Sequence, residues 1–161
     1  MVLRIQDFRP EHLERVLDLS KRAWSPVFAE LQPATEGFVF DAFYPNGWWE
    51  RQKTEIEALV GDPRTRLAVA TEDSAVLGFV GLRIHPEDRM GEIYILAVDP
   101  DHQRRGIGTA LMDFAFAEIK KAGMSMVMVE TGDDPGHASS RATYESAGFK
   151  RWPVARYFRE L

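Results

Sequence analysis

Cysteine is absent from this 161-residue chain, which excludes disulfides, thiolate metal sites and any route through an acyl-cysteine. Histidine is scarce. The four present, His12, His85, His102 and His137, show no i, i+4 pair of the kind that presents two ligands on one helix face, so no metal centre is expected. No apolar run reaches the roughly 20 residues of a membrane-spanning helix, and the first residues lack the basic-then-apolar pattern of a secretion signal. A cytoplasmic protein is the default expectation. Positive charge is also in short supply: 20 Lys and Arg stand against 25 Asp and Glu, a formal net charge of −5. That balance argues against nucleic-acid and anionic-membrane partners, and mildly favours cationic small substrates. No repeat, linker or low-complexity tract divides the chain, and its length suits one domain over residues 1–161 with a full hydrophobic core.

What is present reads as alternating strands and helices. Val2-Leu3-Arg4-Ile5 alternates as a first strand, and Pro10 opens a helix whose face carries Leu13, Val16, Leu17, Ser20 and Trp24. From Ser25 to Pro45 the period dissolves into proline, glycine and the aromatics Phe28, Phe38, Phe40, Phe43 and Tyr44. Such a length is either functional or conceals a short helix. A second helix is expected from about Gly47 to Gly61, closed by Gly-Asp-Pro. Arg66–Ala70 and Val76–Ile84, joined by Glu72-Asp73-Ser74, suit an antiparallel hairpin. Glu92–Val98 is a strand with almost no polar break, as expected when both faces are buried, and Asp99-Pro100 ends it. A helix follows with Ile107, Ala110, Leu111, Phe114 and Ala117 on one face, then a stop at Gly123 and a strand at Met126–Val129. Strand, helix, strand in that order implies parallel pairing. Asp134-Pro135 begins a further helix that ends at Ala147-Gly148. Phe149–Trp152 and Ala155–Phe158 are expected to close the sheet.

The chemistry concentrates between the buried strand and the helix after it, in Gln103-Arg104-Arg105-Gly106-Ile107-Gly108. Two glycines at an offset of two arise by chance roughly 0.7 times in a chain of this length. Their context carries the weight. Glycines at a helix amino end let backbone N–H groups approach a ligand that a Cβ would exclude, and the unpaired N–H groups and partial positive charge there suit a phosphate or diphosphate. A nucleotidase P-loop is unsupported, because Gly-x-x-x-x-Gly-Lys-Ser/Thr does not occur. A dinucleotide fingerprint fares better, with Glu130 at about the spacing of a ribose-binding acid, but Leu111 stands where the third glycine belongs and too little chain remains.

Gln103-x-x-Gly106-x-Gly108 resembles the acyl-CoA-binding signature of the GCN5-related N-acetyltransferases, the GNAT superfamily. Tyr144, Gly148 and Phe149, read as Tyr-x-x-x-Gly-Phe at a helix end, resemble the last motif of the same family. Together the two cover Glu92 to Phe149 in the family's order. The resemblance implies an α/β fold with a mixed sheet, mostly antiparallel, in which one splayed parallel strand pair is flanked by helices. It also implies transfer of an acetyl group from acetyl-CoA to the primary amine of a small molecule or peptide. Carried over residue by residue, the pantetheine arm of coenzyme A lies along Leu96, Ala97 and Val98. The diphosphate then rests on Arg104, Arg105, Gly106 and Gly108, mostly through main-chain N–H groups, with each arginine side chain either on phosphate or in solvent, and Gln103 and Thr109 complete the cofactor-binding set.

An amine with a pKa near about 10 is almost wholly protonated at neutral pH, and only the free amine attacks a thioester. A base is therefore needed, and the resemblance assigns it to Glu92, acting directly or through one water. The other reading makes Glu92 a strand-end charge paired with an arginine. Tyr144 matches the general acid that protonates the departing thiolate; alternatively it is a core tyrosine with its hydroxyl on backbone. His137 stands where many relatives carry asparagine, and is either a contact to the pantetheine arm, a second base or a helix-start residue. The acceptor site of the family gives meaning to Phe38, Phe40, Phe43, Tyr44, Trp48 and Trp49, whose rings either hold a cationic amine by cation–π contact or serve as core or homodimer packing. A non-catalytic acyl-CoA sensor or interaction module is the rival function, disfavoured by the retention of both Glu92 and Tyr144.

Overall fold

The computed structural model describes residues 2–161. The chain forms two compact units, one built from the residues up to Trp24 with Gln52–Glu130, the other from Ser25–Arg51 with Thr131–Leu161. The strands are β1 (Arg4–Asp7), β2 (Arg66–Glu72), β3 (Ala75–His85), β4 (Met90–Val98) and β5 (Met126–Val129). The helices are α1 (Leu13–Ala34), α2 (Gly37–Phe43), α3 (Trp48–Val60), α4 (Ile107–Lys121) and α5 (Ala138–Ser146).

The first unit is a five-stranded sheet in chain order, β1-β2-β3-β4-β5. Its first three pairings are antiparallel and the last, β4 with β5, is parallel. The β2–β3 hairpin turns through Asp73 and Ser74, both at positive φ (49° and 69°), a pair of left-handed residues whose twist matches that of the flanking strands. β1 sits two residues later than the alternation at Val2–Ile5 predicts, because Arg4–Asp7 is the stretch in register with Thr71–Ala68.

The two faces of the sheet are covered differently. On one, Val16 and Leu19 of α1 and Ile56 of α3 pack with Val69, Val76, Phe79 and Ala97. On the other lies α4, and alternation along β3 and β4 brings glycines beneath it. A Cβ on Gly78 would stand 2.9 Å from the Ala97 carbonyl oxygen and 3.1 Å from Leu111, and one on Gly91 only 2.3 Å from Ile119. These two glycines are what allow the helix to rest on the backbone of the sheet. α4 ends in a Schellman turn, in which Gly123, at φ 84°, donates to Lys120 O and Met124 donates to Ile119 O.

In the second unit the aperiodic stretch proves helical. α1 runs on through Pro26 and Pro33 to Ala34 instead of ending near Trp24, and α2 is the short helix that the stretch concealed. An interior proline forfeits a hydrogen bond and crowds the preceding turn, but here the continuation places Phe28, 7% exposed, in a ring cluster. Phe28 stacks on Trp48 at 4.5 Å and meets Tyr44 edge-on at 5.3 Å, while Phe40 tilts against Tyr44 at 4.8 Å.

The two closing strands expected at Phe149–Trp152 and Ala155–Phe158 do not form; residues 149–161 carry no ladder. Aromatic and β-branched content favours a strand only where a neighbouring edge accepts it, and Pro153 removes a donor between the two runs. The segment is held instead by an ion pair from Arg151 to Asp133 and by Phe158 edge-on to Phe43.

The packing of α4 on Gly91 is open to a direct test. Gly91→Ala is expected to lower unfolding stability by about 1–3 kcal/mol through displacement of Ile119, measured by urea denaturation. Gly61→Ala, where an added Cβ meets nothing within 4 Å, serves as the control and leaves the midpoint close to that of the parent.

Candidate functional site

In the first unit the site begins where a ladder stops. β4 pairs with β5 only from Met90↔Met126 to Ile93↔Val129, so that no strand among the described residues flanks Tyr94–Val98 on that side. Against β3 the register jumps from Ile93↔Leu82 to Ile95↔Gly81, leaving Tyr94 as the extra residue of a bulge, and bulges bend a strand and re-aim its edge. Leu96, Ala97 and Val98 therefore present backbone on an open edge, with Ala97 itself buried at 5% exposure.

Past Val98 the chain makes a 3₁₀ turn at Pro100–His102 and enters the glycine turn. Arg104 and Gly106 both take positive φ (62° and 79°), and Gly106 is the N-cap of α4. The first bond of the α4 ladder to its cap runs from Ala110 N–H to Gly106 O at 2.9 Å, and the N–H groups of Ile107, Gly108 and Thr109 lie in the first turn, where no intrahelical carbonyl reaches them. A Cβ on Gly108 would meet only Val98 at 3.7 Å, an ordinary contact. Packing thus does not require glycine at 108, and the backbone there is left uncovered by any Cβ. The two arginines differ. Arg105 is held by both oxygens of Glu72 at 3.2 Å, while Arg104 is exposed and has no ion pair among the described residues. Gln103 Nε2 lies 3.5 Å from Val98 O, folding back on the strand it follows.

Asp99, which ends β4, is 2% exposed. Its carboxylate accepts two hydrogen bonds from the Arg22 guanidinium, at 2.9 and 2.8 Å, and one from Asp101 N–H at 2.9 Å. The Arg22 hydrogen bonds, aided by that N–H and outweighing burial, hold its carboxyl at about 2, well below the ordinary value. The same bonds drive the Arg22 pKa upward. The residue types at 22 and 99 carry no mark of this pairing, which joins positions 77 apart.

Glu92 stands opposite Arg83 in the β3–β4 register, yet its carboxylate accepts from His85 Nε2 at 2.8 Å. Its partner is thus a histidine and not the arginine that the strand-end reading required. Arg83 is engaged elsewhere, donating to Thr65 and Asp62 and lying 3.7 Å from the centre of the Tyr94 ring. Glu92 and His85 are partly exposed, with side-chain exposures of 15% and 31%. His85 could have been found from sequence only by fixing the hairpin register.

The second unit holds Tyr144 and His137. Gly148, at φ 95°, and Phe149 close α5 in a Schellman turn, Phe149 N–H donating to Tyr144 O at 3.1 Å. That turn brings the Phe149 ring edge-on to Tyr144 at 5.8 Å, the apolar contact that commonly accompanies such a cap. Hence Tyr-x-x-x-Gly-Phe is a helix-ending device that seats the tyrosine ring. The hydroxyl has no backbone partner among the described residues, and burial raises its pKa. His137 Nδ1 lies 2.5 Å from Asp134 Oδ1, and Asp134 also accepts from Gly136 N–H; the histidine is part of the α5 start. The Arg51 guanidinium lies 5.1 and 5.6 Å from the centres of the Phe43 and Tyr44 rings, a cation–π contact made within the chain.

Comparison with known proteins gives a consistent result. The acetyltransferase (GNAT) family model matches residues 14–149. A mycothiol acetyltransferase of Kocuria rhizophila is 36% identical over 104 residues, covering 61% of this chain and 34% of that one. The chain spans between about a quarter and a half of the length of the mycothiol acetyltransferases it matches. Among solved structures, the PaiA N-acetyltransferase of Thermoplasma acidophilum in complex with coenzyme A superposes with a TM-score of 0.72 at 21% identity, covering 96% of this chain and 94% of that one. An aminoglycoside antibiotic 6'-N-acetyltransferase of Acinetobacter haemolyticus does so with a TM-score of 0.70 at 18% identity, over 98% of each chain. At these identities the structural likeness shows the fold. No helix among the described residues is long and apolar enough to cross a membrane, and no cluster of His, Asp and Glu among them is suited to a metal ion.

The Asp99 carboxyl makes stability depend on pH with a definite sign. Its folded pKa lies below the unfolded one, so its contribution is complete above about pH 4 and is lost as pH falls towards 2, amounting to about 2 kcal/mol. Urea unfolding at pH 5 and near pH 2 is expected to show a loss in the parent that exceeds the loss in Asp99→Asn by about that amount. Equal losses would remove Asp99 as the source.

Proposed function

The chain belongs to the acetyltransferase (GNAT) family, and on that premise we propose that it acts as one acetyltransferase domain, moving an acetyl group from acetyl-CoA to the primary amine of a small molecule. The observation that carries this reading is the continuity between the open edge of β4 at Tyr94–Val98 and the left-handed glycine turn that begins α4. An extended amide-bearing arm finds backbone partners along Leu96–Val98, and a diphosphate finds the N–H groups of Gly106, Gly108 and Thr109 with the positive end of the helix behind them. Arg104 adds a charge from its side chain. Arg105, tied to Glu72, serves through its main chain, and Gln103 shapes the entrance.

Acetyl-CoA supplies the acetyl group as a thioester. Glu92 takes the proton that the acceptor ammonium must lose before its nitrogen can attack, and His85, bonded to Glu92, orients the carboxylate. The Tyr144 hydroxyl, protonated near neutrality, its pKa raised further by burial, and uncommitted to any backbone group among the described residues, donates to the departing sulfur. His137 supports the start of α5 rather than moving a proton. A cationic acceptor fits the acidic balance of the chain, and the names of the mycothiol and aminoglycoside acetyltransferases that resemble it favour one of low molecular weight.

Thiol release from acetyl-CoA, measured across polyamines, aminoglycosides, amino sugars, amino acids and peptides, is expected to show turnover with a small amine, and mass spectrometry to show the acetylated product. Binding of acetyl-CoA without turnover on any acceptor would favour the sensor instead. With the best acceptor, Tyr144→Phe is expected to lower kcat about 100-fold while leaving the acetyl-CoA dissociation constant unchanged. An unaltered kcat would remove Tyr144 from the chemistry.

A further inference from the structure

We propose that the Arg22–Asp99 pair is a positioning device for the diphosphate-binding turn, and that it sets affinity for the nucleotide end of coenzyme A without touching the ligand. The inference rests on the reading of Gly106–Thr109 as the diphosphate seat. Asp99 occupies the one position through which the open edge of β4 passes into that turn. Burying a carboxylate is unfavourable unless it is fully paired, and a strand can be ended by a proline alone, as Pro100 stands ready to do. The expense therefore calls for another explanation.

The polar atoms of Asp99 tie together β3, the 3₁₀ turn and α1. Its N–H donates to Leu77 O of β3 at 2.8 Å, and its carbonyl accepts from His102 N–H at 2.9 Å. Oδ1 accepts from Asp101 N–H, which shapes the first residues of the loop, and both carboxylate oxygens are gripped by the Arg22 fork from α1. Arg15 Nη2 stands 3.8 Å from Oδ2, and His102 Nδ1 lies 3.8 Å from Oδ1 with no hydrogen bond of its own. The fork is itself braced, since Arg22 also donates to Asp18 at 3.0 and 3.1 Å and to Asp101 at 3.3 Å. A bidentate pair defines orientation as well as distance. Here it locks the strand end, the 3₁₀ turn and α1 into one frame from which Arg104 and Gly106 enter their left-handed conformations.

The pair has an electrostatic role as well. Asp99 and Asp101 put two carboxylates at the entrance to a seat for a doubly charged group, an arrangement that repels the ligand unless it is cancelled. Arg22 bonds to both.

The test compares coenzyme A with pantetheine, which shares the arm and lacks the diphosphate, on the parent chain and on Asp99→Asn and Arg22→Gln, using calorimetry for the first ligand and NMR titration for the second. Coenzyme A is expected to bind each variant at least about tenfold more weakly, as the loss of one charge-assisted hydrogen bond implies, while pantetheine affinity changes less than about twofold. Arg22→Lys, which keeps the charge without the fork, is expected to recover part of the loss. Equal weakening of both ligands, or no weakening of either, overturns the inference. Arg22 is partly exposed (36%), so Arg22→Gln supplies the answer should Asp99→Asn fail to fold. A parent chain that binds coenzyme A no better than pantetheine would instead bring down the diphosphate seat itself, and the inference with it.

Discussion

β4 keeps its ladder with β3 along almost its whole length and loses its other neighbour after Ile93. Backbone N–H and C=O groups require partners, and those on the open side of Tyr94–Val98 find none in the sheet. An edge of this kind is ordinarily a hazard for aggregation. Here it is short, bent by the bulge at Tyr94, and succeeded at once by Asp99 and the 3₁₀ turn. The same truncated pairing that leaves the β4 edge open also carries the chain, through the 3₁₀ turn, to the amino end of α4. One local departure from sheet regularity thus sets up both halves of the proposed coenzyme A site.

The glycines of the first unit divide by what they permit. Gly78 and Gly91 are required by the close approach of α4, whose Leu111 and Ile119 occupy the space of the missing Cβ atoms. Gly106 is favoured by its positive φ, while Gly108 has neither constraint. Charge follows a similar division. Arg105 is committed to Glu72, Arg22 to Asp99 and Arg83 to Asp62 and Tyr94, leaving Arg104 as the cation of the turn with no ion pair among the described residues.

The aromatic segment illustrates a different use of composition. Phe28, Phe40, Tyr44 and Trp48 pack upon one another, and Arg51 covers Phe43 and Tyr44 while donating to the Phe43 carbonyl at 2.8 Å. The cation–π contact expected for an acceptor amine is made at these two rings by the chain's own guanidinium. The continuation of α1 through Pro26 and Pro33, beyond the point where local propensity places its end, is what brings Phe28 into this ring cluster.

Much of the fold was legible because its signals are local. The turn at Asp73-Ser74, the α4 cap at Gly106, the stop at Gly123 and the Gly148-Phe149 closure each depend on the backbone chemistry of a few consecutive residues, and each lies where the sequence places it. Strand, helix, strand from Glu92 to Val129 likewise implied the parallel pair. The signatures around Gly106 and Tyr144 identified the family for the same reason. What the sequence could not determine was how far that pair stays joined, that His85 and not an arginine meets Glu92, that Arg22 reaches Asp99, and that residues 149–161 find no ladder. Each of these depends on register or on groups brought together from distant positions. Hydrogen-bond partners and ladder edges are properties of neighbours in space, and only the assembled sheet and its helices decide which neighbours those are.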